Sequence, residues 1–413
     1  MNYFRLHLAT YVSLRHNQMQ KMTNTNLAKL SKVDIHQKKQ KFIRQKVEPS
    51  FVPFATGFKP PTRCQSRLAI GCEPMIKDFD PGAECSHGFE YFKTIPCPTD
   101  IDDWLAQYNE EGQTYKQFLN ECPWLSSRKR KYMSQTFVFS GKTLPQKYPD
   151  GKVYIVPLGK FQSEDPKLFD HLIEYTSIFL CLPVVPLPVI QLHEENGDIF
   201  WIEEPSMSEA LRRRTSERMK KHKLATRYDF KSKHFQVCVD SCLMKLRQKI
   251  PSDAICLIAL TMYDLYGDET DLFVAGMAAG NQRVAVFSLY RYDPSLSFST
   301  ENWYEVEPDK TVSKKDKICL MLQRGSKLLV HEICHLLGID HCIYFDCCMN
   351  GSGHLSEDFR QSMHLCPVDL HKLHVLVGFD VVERYKKLNE FYKKHHLIGE
   401  MEWVERRIAY LST

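Results

Sequence analysis

The segment from Val330 to Met349, VHEICHLLGIDHCIYFDCCM, constrains this 413-residue chain more than any other. His331 and His335 are four residues apart, so on a helix both imidazoles lie on one face, one turn apart. Gly338 can take φ > 0 and end that helix sharply. Reversal of the chain there brings His341 back towards the first two histidines. The fold must therefore supply a long helix ending near 338 and a loop that turns back beneath it.

Two neutral imidazoles at this spacing can share one Zn2+, and a third leaves a fourth position open for water. Zinc can lower the pKa of that water from 15.7 towards about 7. Glu332, roughly 100° around the helix from His331, would reach the zinc-bound water without binding the metal. It would accept the water's proton and pass it to a leaving amine. The implied chemistry is hydrolysis of an amide without a covalent enzyme intermediate. The pattern is specific. A bare HExxH arises by chance in roughly one chain of this composition in twenty, and adding Gly at +7 and His at +10 takes that to roughly one in ten thousand.

The rest of the chain narrows the setting. With 43% hydrophobic and 25% charged residues, it is neither disordered, collagenous nor coiled-coil. The net charge of +5 is too mild to argue for nucleic acid. It is also uneven: residues 1–47 hold ten Lys or Arg and one acid, Asp34, or about +9, which leaves about −4 for the remainder. That tail reads as a solvated extension, with a mitochondrial presequence or a basic anchor for acidic partners as the functional alternatives. Fifteen cysteines, an odd number at irregular spacing, suit reduced thiols in the cytosol or nucleus better than a disulfide framework. The most apolar stretch, Ser177 to Leu192, is too short and too rich in proline to span a membrane.

Four regions are expected: a basic extension and Pro-rich linker over 1–70, a flanking segment over 71–150, a catalytic domain over 151–395, and a C-terminal tail over 396–413. Periodicity and punctuation predict helices over Ile101–Asn120 (capped by Asp100), Ser163–Leu180, Ser208–Lys223, Phe235–Ile250 and Ile318–Leu337. Strands are predicted over Lys152–Leu158, Asp198–Glu203, Ala254–Leu265 and Val284–Tyr290, with an extended, proline-bearing edge over Leu182–Leu192. The fold class is mixed α/β (α+β) with one main sheet.

Past the third histidine the sequence continues with Cys342, Cys347 and Met349, and Cys366 opens a further cysteine pattern. This resembles the archaemetzincins, zinc peptidases of the metzincin clan, whose pattern adds CxxxxCxM and a distant CxxC to HExxHxxGxxH. LTMYDLYGDE from Leu260 and FSLYRYDP from Phe287 are similar to the family's strand segments, and the resemblance covers roughly residues 150–395. It implies a metzincin-like twisted mixed sheet, an active-site helix and a zinc-stabilised C-terminal subdomain. It makes Val284–Tyr290 the edge strand along which a peptide lies, and Met349 the methionine of the turn beneath the catalytic zinc held by His331, His335 and His341.

The resemblance also implies a second, structural zinc on Cys342, Cys347 and Cys366. Where the family has its fourth cysteine, this chain has Asp369, which can bind zinc through oxygen. Cys348, His364 and His371 are alternative fourth ligands. Two zinc ions per chain are thus expected in a monomer. Cys256, Cys319 and Cys334 read as small core residues and Cys238 and Cys242 as structural, while Cys64, Cys72, Cys85, Cys97 and Cys122 show no ligand spacing. The function expected is a zinc-dependent peptidase acting on peptides or proteins, which the family resemblance extends to an aminopeptidase. The competing reading is a zinc-binding scaffold or regulatory protein without activity.

Overall fold

The computed structural model describes residues 58–71, 91–125, 141–203, 220–229, 234–268, 271–298, 306–308 and 312–412. The basic tail and its presequence reading lie outside them. So do residues 208–219 of the predicted charged helix.

In chain order the strands used below are β1 (Lys152–Leu158), β2 (Val184–Pro186), β3 (Leu192–Glu195), β4 (Asp198–Glu203), β5 (Lys220–Lys223), β6 (Thr226–Asp229), β7 (His234–Cys238), β8 (Ala254–Thr261), β9 (Asp264–Tyr266), β10 (Gly276–Ala279) and β11 (Val284–Ser288). The main sheet runs β10-β11-β8-β1-β2. Its pairs are parallel except β10 on β11, which is antiparallel. The helices used below are α1 (Trp104–Gln107), α2 (Tyr115–Glu121), α3 (Leu168–Leu180), α4 (Val239–Leu246), α5 (Lys314–Leu336), α6 (Leu355–Arg360), α7 (Pro367–Val377), α8 (Val381–Lys394) and α9 (Ile398–Leu411).

Alternation along the strands sorts the core into two layers. Val153, Ile155, Ile258, Leu260, Ala285 and Phe287 face the large core built on α3, α5, α7 and α8. Tyr154, Val156, Leu257, Ala259, Val284 and Val286 face a smaller core with Val239, Cys242, Leu243 and Leu246 of α4. Every residue of β8 is buried, as a parallel strand covered on both faces requires. The large core also takes in Phe92, Trp104, Phe118, Trp124 and Leu144, so the flank before β1 shares the core of α5. Residues 398–411, set apart as a tail in the sequence, form α9, which packs on α8 and buries Val404 and Arg407.

Several expectations change. Val284–Ser288 is internal, paired with β8 on one side and β10 on the other, so the sheet edge on this side is β10. Two short apolar strands follow one another here, and composition does not reveal which lies outside. The predicted helix over Ile101–Asn120 is two short helices, α1 and α2, separated by extended chain. Gly112 at φ +70° interrupts it, and Thr114 starts α2 through a capping box with Gln117. The N-cap of α1 is Asp103, not Asp100. Phe235–Ile250 divides into β7 and α4, and Lys220–Lys223 is strand, paired antiparallel with β4. The proline-bearing segment does form the far sheet edge, as β2.

Candidate metal centres

Helix α5 carries the first site. Ser313 caps its start by accepting from the Asp316 N–H. Its buried face from Met321 to Leu336 packs into the core, and Gly338 follows at φ +92°. A Cβ there would stand 3.0 Å from Pro123 Cδ and 3.3 Å from Cys122 Sγ, so both backbone conformation and close approach call for glycine. Two residues of the flank seal the helix end: Cys122 Sγ donates to the Leu337 carbonyl at 3.3 Å and Trp124 Nε1 to the Leu336 carbonyl at 3.1 Å.

The turn after Gly338 brings the three histidines together. Ring centroids are 4.7 Å apart for His331–His335, 4.8 Å for His335–His341 and 5.5 Å for His331–His341. One nitrogen from each lies within 4.8 Å of the others. His331 Nδ1 stands 2.7 Å from the Cys348 carbonyl, and His335 Nδ1 2.7 Å from the Ile339 carbonyl. A carbonyl only accepts, so both Nδ1 atoms must be donors. Their Nε2 atoms face each other at 3.0 Å, close enough for one metal ion to be shared by both rings. Burial, with His341 alongside, pushes the His331 imidazole down to about 3, so it is neutral, as a ligand must be.

Glu332 follows His331 on α5 and is buried, and its Oε2 has no hydrogen-bond partner among the described residues. Burial, and then Asp358, push its carboxyl well above the ordinary range. A buried carboxylate oxygen without a partner is costly and is placed to take up a proton. Met349 is fully buried in the returning loop. Its carbonyl accepts the Cys342 N–H at 2.7 Å, and the peptide before it supplies the acceptor for His331.

The second cluster lies along the same loop. Atoms of Cys342, Cys347, Cys366 and Asp369 come within 4.8 Å of one another, all four residues buried. Asp369 Oδ2 is 3.2 Å from Cys347 Sγ and 3.4 Å from Cys366 Sγ, and Cys342 Sγ is 3.6 Å from Cys366 Sγ. Against burial, hydrogen bonds from the other two thiols hold Cys342 well below the ordinary thiol range, while burial pushes Cys347 and Cys366 well above it. A metal bound among these thiols would displace their protons, since a coordinating thiol is deprotonated. Burial raises Asp369 to about 6. Of the alternative fourth ligands, His371 is turned away to stack on Tyr115 and bond the Ile70 carbonyl, and His364 stacks on Trp403. Cys348 is buried nearby but outside the cluster.

Sequence reasoning missed three supports. Lys372 Nζ pairs with Asp369 Oδ1 at 2.8 Å, both side chains fully buried; the i, i+3 spacing could have revealed it. Asn350 ties the loop by donating to the Cys342 and Phe345 carbonyls and accepting the Cys347 N–H. Glu110 of the flank bonds His341 Nδ1 at 2.8 Å, a contact no local signal announces. A third group, Asp103, His354 and Glu357, is a hydrogen-bonded latch. Asp103 Oδ1 meets His354 Nε2 at 2.9 Å, and Glu357 Oε2 accepts from the Trp104 and Gly353 N–H groups, which joins the flank to α6. Of the remaining cysteines, Cys256 and Cys334 are core residues, Cys319 packs partly buried against the core, and Cys64 and Cys97 are exposed. Cys72 and Cys85 lie outside the described residues.

Parts of the chain are similar to known proteins. Residues 231–375 match the model of peptidase family M54. Archaemetzincin-2 of Homo sapiens is 37% identical over 166 residues, 38% of this chain and 46% of that protein. Archaemetzincin-2 of Rattus norvegicus is 35% identical over 176 residues, 40% of this chain and 49% of that protein. The chain thus spans about half the length of the curated relatives it matches. Among solved structures, a zinc-dependent peptidase from Methanocorpusculum labreanum (strain Z) is 19% identical, with a TM-score of 0.34, over 53% of this chain and 99% of that one. An archaemetzincin from Archaeoglobus fulgidus, complexed with malonate, is 20% identical, with a TM-score of 0.32, over 54% and 99%.

Proposed function

We propose that this protein, whose residues 231–375 match the model of peptidase family M54, is a zinc metallopeptidase of the archaemetzincin kind with two zinc ions per chain. One observation carries the reading. Three imidazoles converge so that one nitrogen of each lies within 4.8 Å of the others, on the helix that also carries the buried Glu332, whose Oε2 has no hydrogen-bond partner among the described residues. His331, His335 and His341 would hold the catalytic zinc. When bound, zinc supplies a Lewis acid that polarises a scissile carbonyl and acidifies water.

The chain's own residues supply the rest. Glu332 Oε2 takes the proton of the attacking water and delivers it to the leaving nitrogen. Peptide substrate lies along β10, whose outer edge can add an extended segment as a further strand. Cys342, Cys347, Cys366 and Asp369 would hold the second zinc as a closed site without an open position. That site anchors the loop carrying Met349 and the carbonyl that orients His331.

The family resemblance extends the reading to removal of N-terminal residues. Cleavage of matched peptides with free and acetylated N-termini tests that extension; equal cleavage of both removes it. Every cysteine among the described residues is free, which supports a reducing compartment. Among these residues no helix is long and apolar enough to cross a membrane.

The test of the activity is Glu332→Gln. Hydrolysis of a peptide library should fall by roughly 10²–10⁴-fold while the zinc content stays that of the unaltered protein. Undiminished hydrolysis refutes the mechanism. A fully zinc-loaded wild-type chain that cleaves nothing is a scaffold instead.

A further inference from the structure

The three imidazoles are not held alike. His331 and His335 donate Nδ1–H to backbone carbonyls, of Cys348 and Ile339, that belong to the same loop and helix end. His341 Nδ1 meets a carboxylate, Glu110 Oε1, at 2.8 Å, with both side chains mostly buried. Glu110 is 231 residues away in sequence and lies before the segment that matches the peptidase family.

Its neighbours fix the same turn. Gln113, 5% exposed, donates through Nε2 to the Gly338 carbonyl at 3.2 Å and to Asp340 Oδ2 at 3.0 Å. It also accepts the Asp340 N–H at 3.3 Å. Between them Gly112, at φ +70°, lies so close to Ile343 that a Cβ would stand 2.6 Å from its Cγ1. Trp104 sets its ring edge-to-face with His341 at 5.2 Å and stacks on Tyr108 at 4.0 Å.

We infer that Glu110 is a positioning residue for the metal centre, and that the chain from Tyr108 to Thr114 is the strap that holds the third histidine in place. Accepting the Nδ1 proton fixes the tautomer of His341, so that Nε2 presents its lone pair to the metal. The negative charge makes that nitrogen a better donor. A ligand on a loop after a helix terminus needs this more than ligands fixed on the helix itself. The inference rests on the metallopeptidase reading for what the metal does, but it concerns retention of the metal, which is measured separately.

The experiment uses the full-length chain, unaltered and as Glu110→Ala and Glu110→Gln, with fold monitored by circular dichroism. Retention of zinc at the histidine site is read by chelator competition, and ligand geometry by the visible absorption of Co2+ loaded there. Glu110→Ala should weaken retention by roughly 10- to 100-fold and shift the Co2+ bands, with the cysteine-site zinc kept. Glu110→Gln, which keeps an acceptor oxygen but no charge, should lose a measurable part of that retention, up to roughly tenfold, and keep more of the spectrum than the alanine variant. Should Glu110→Ala fail to fold, the glutamine variant decides. Retention and Co2+ spectrum unchanged in Glu110→Gln overturn the inference. An unaltered chain that holds no metal at the histidines overturns the metallopeptidase reading with it.

Discussion

The fourth position of the cysteine cluster gives the sharpest energetic prediction. Asp369 presents Oδ2 to two thiols and Oδ1 to Lys372, at 2.8 Å, with neither side chain exposed. Burial opposes the ammonium of Lys372, and the adjacent Asp369 overrides it and holds the group charged. Asp369→Ala therefore does two things. It removes an oxygen from the cluster, and it strands a buried cation that donates its hydrogen bond to that aspartate. Breaking one side of a buried pair costs about 3–5 kcal/mol. For a domain of this size that lowers Tm by roughly 6–20 °C. Replacing both partners with apolar groups costs far less, so Asp369→Ala with Lys372→Met should recover much of the loss. Thermal melts of the zinc-replete full chain, unaltered and as both single variants and the double, measure it. The reasoning fails if Asp369→Ala melts within about 1 kcal/mol of the unaltered chain, or if the double variant melts no higher than Asp369→Ala.

Three further outcomes are expected. Gly338→Ala places a Cβ at φ +92° against Pro123 and Cys122; it should cost about 1–3 kcal/mol and weaken zinc retention at the histidines, read by chelator competition, with unchanged retention speaking against the turn's role. Gly276→Ala drives a Cβ to 2.1 Å from Phe287 and 2.4 Å from the Val286 carbonyl, so peptide hydrolysis should fall while both zincs remain, because the edge strand rather than the metal is displaced. Asp264 is buried among Arg291, His234 and Gln236. Burial would raise its carboxyl, but Arg291 and His234 prevail and hold it below the ordinary value. Its stabilisation is therefore present above about pH 4 and is lost as pH falls through the lower folded value. In urea titrations Asp264→Asn should be less stable at pH 7 and lose less between pH 5 and 3 than the unaltered chain; an equal acid loss contradicts the assignment.

How much of this was legible from the sequence depends on where each signal resides. The four-residue spacing of His331 and His335, the glycine at 338 and the histidine at 341 encode a helix face and its reversal locally. The geometry follows that encoding closely. The strands Lys152–Leu158 and Asp198–Glu203 fall where alternation placed them. Asp369 was readable through the family pattern, and Lys372 through helical spacing from it. The edge strand was misplaced because β10 and β11 are both short and apolar, and pairing order is not written in either. β7 and α4 merged in the sequence because apolar residues continue across Cys238, where the backbone changes from strand to helix. Glu110 was beyond reach for a different reason. Its partner lies on the far side of the sheet-forming chain, and nothing near residue 110 marks it as a partner of a histidine.

The central claim is that one loop joins two different metal sites, three histidines for chemistry and three cysteines with an aspartate for support. Elemental analysis of zinc in the purified full-length chain tests it most directly, alongside His335→Ala and Cys347→Ser. The account predicts close to two zinc ions per chain for the unaltered protein and close to one for His335→Ala, with Cys347→Ser losing the other. Fewer than two in the unaltered chain, or the full complement retained in His335→Ala, would contradict it.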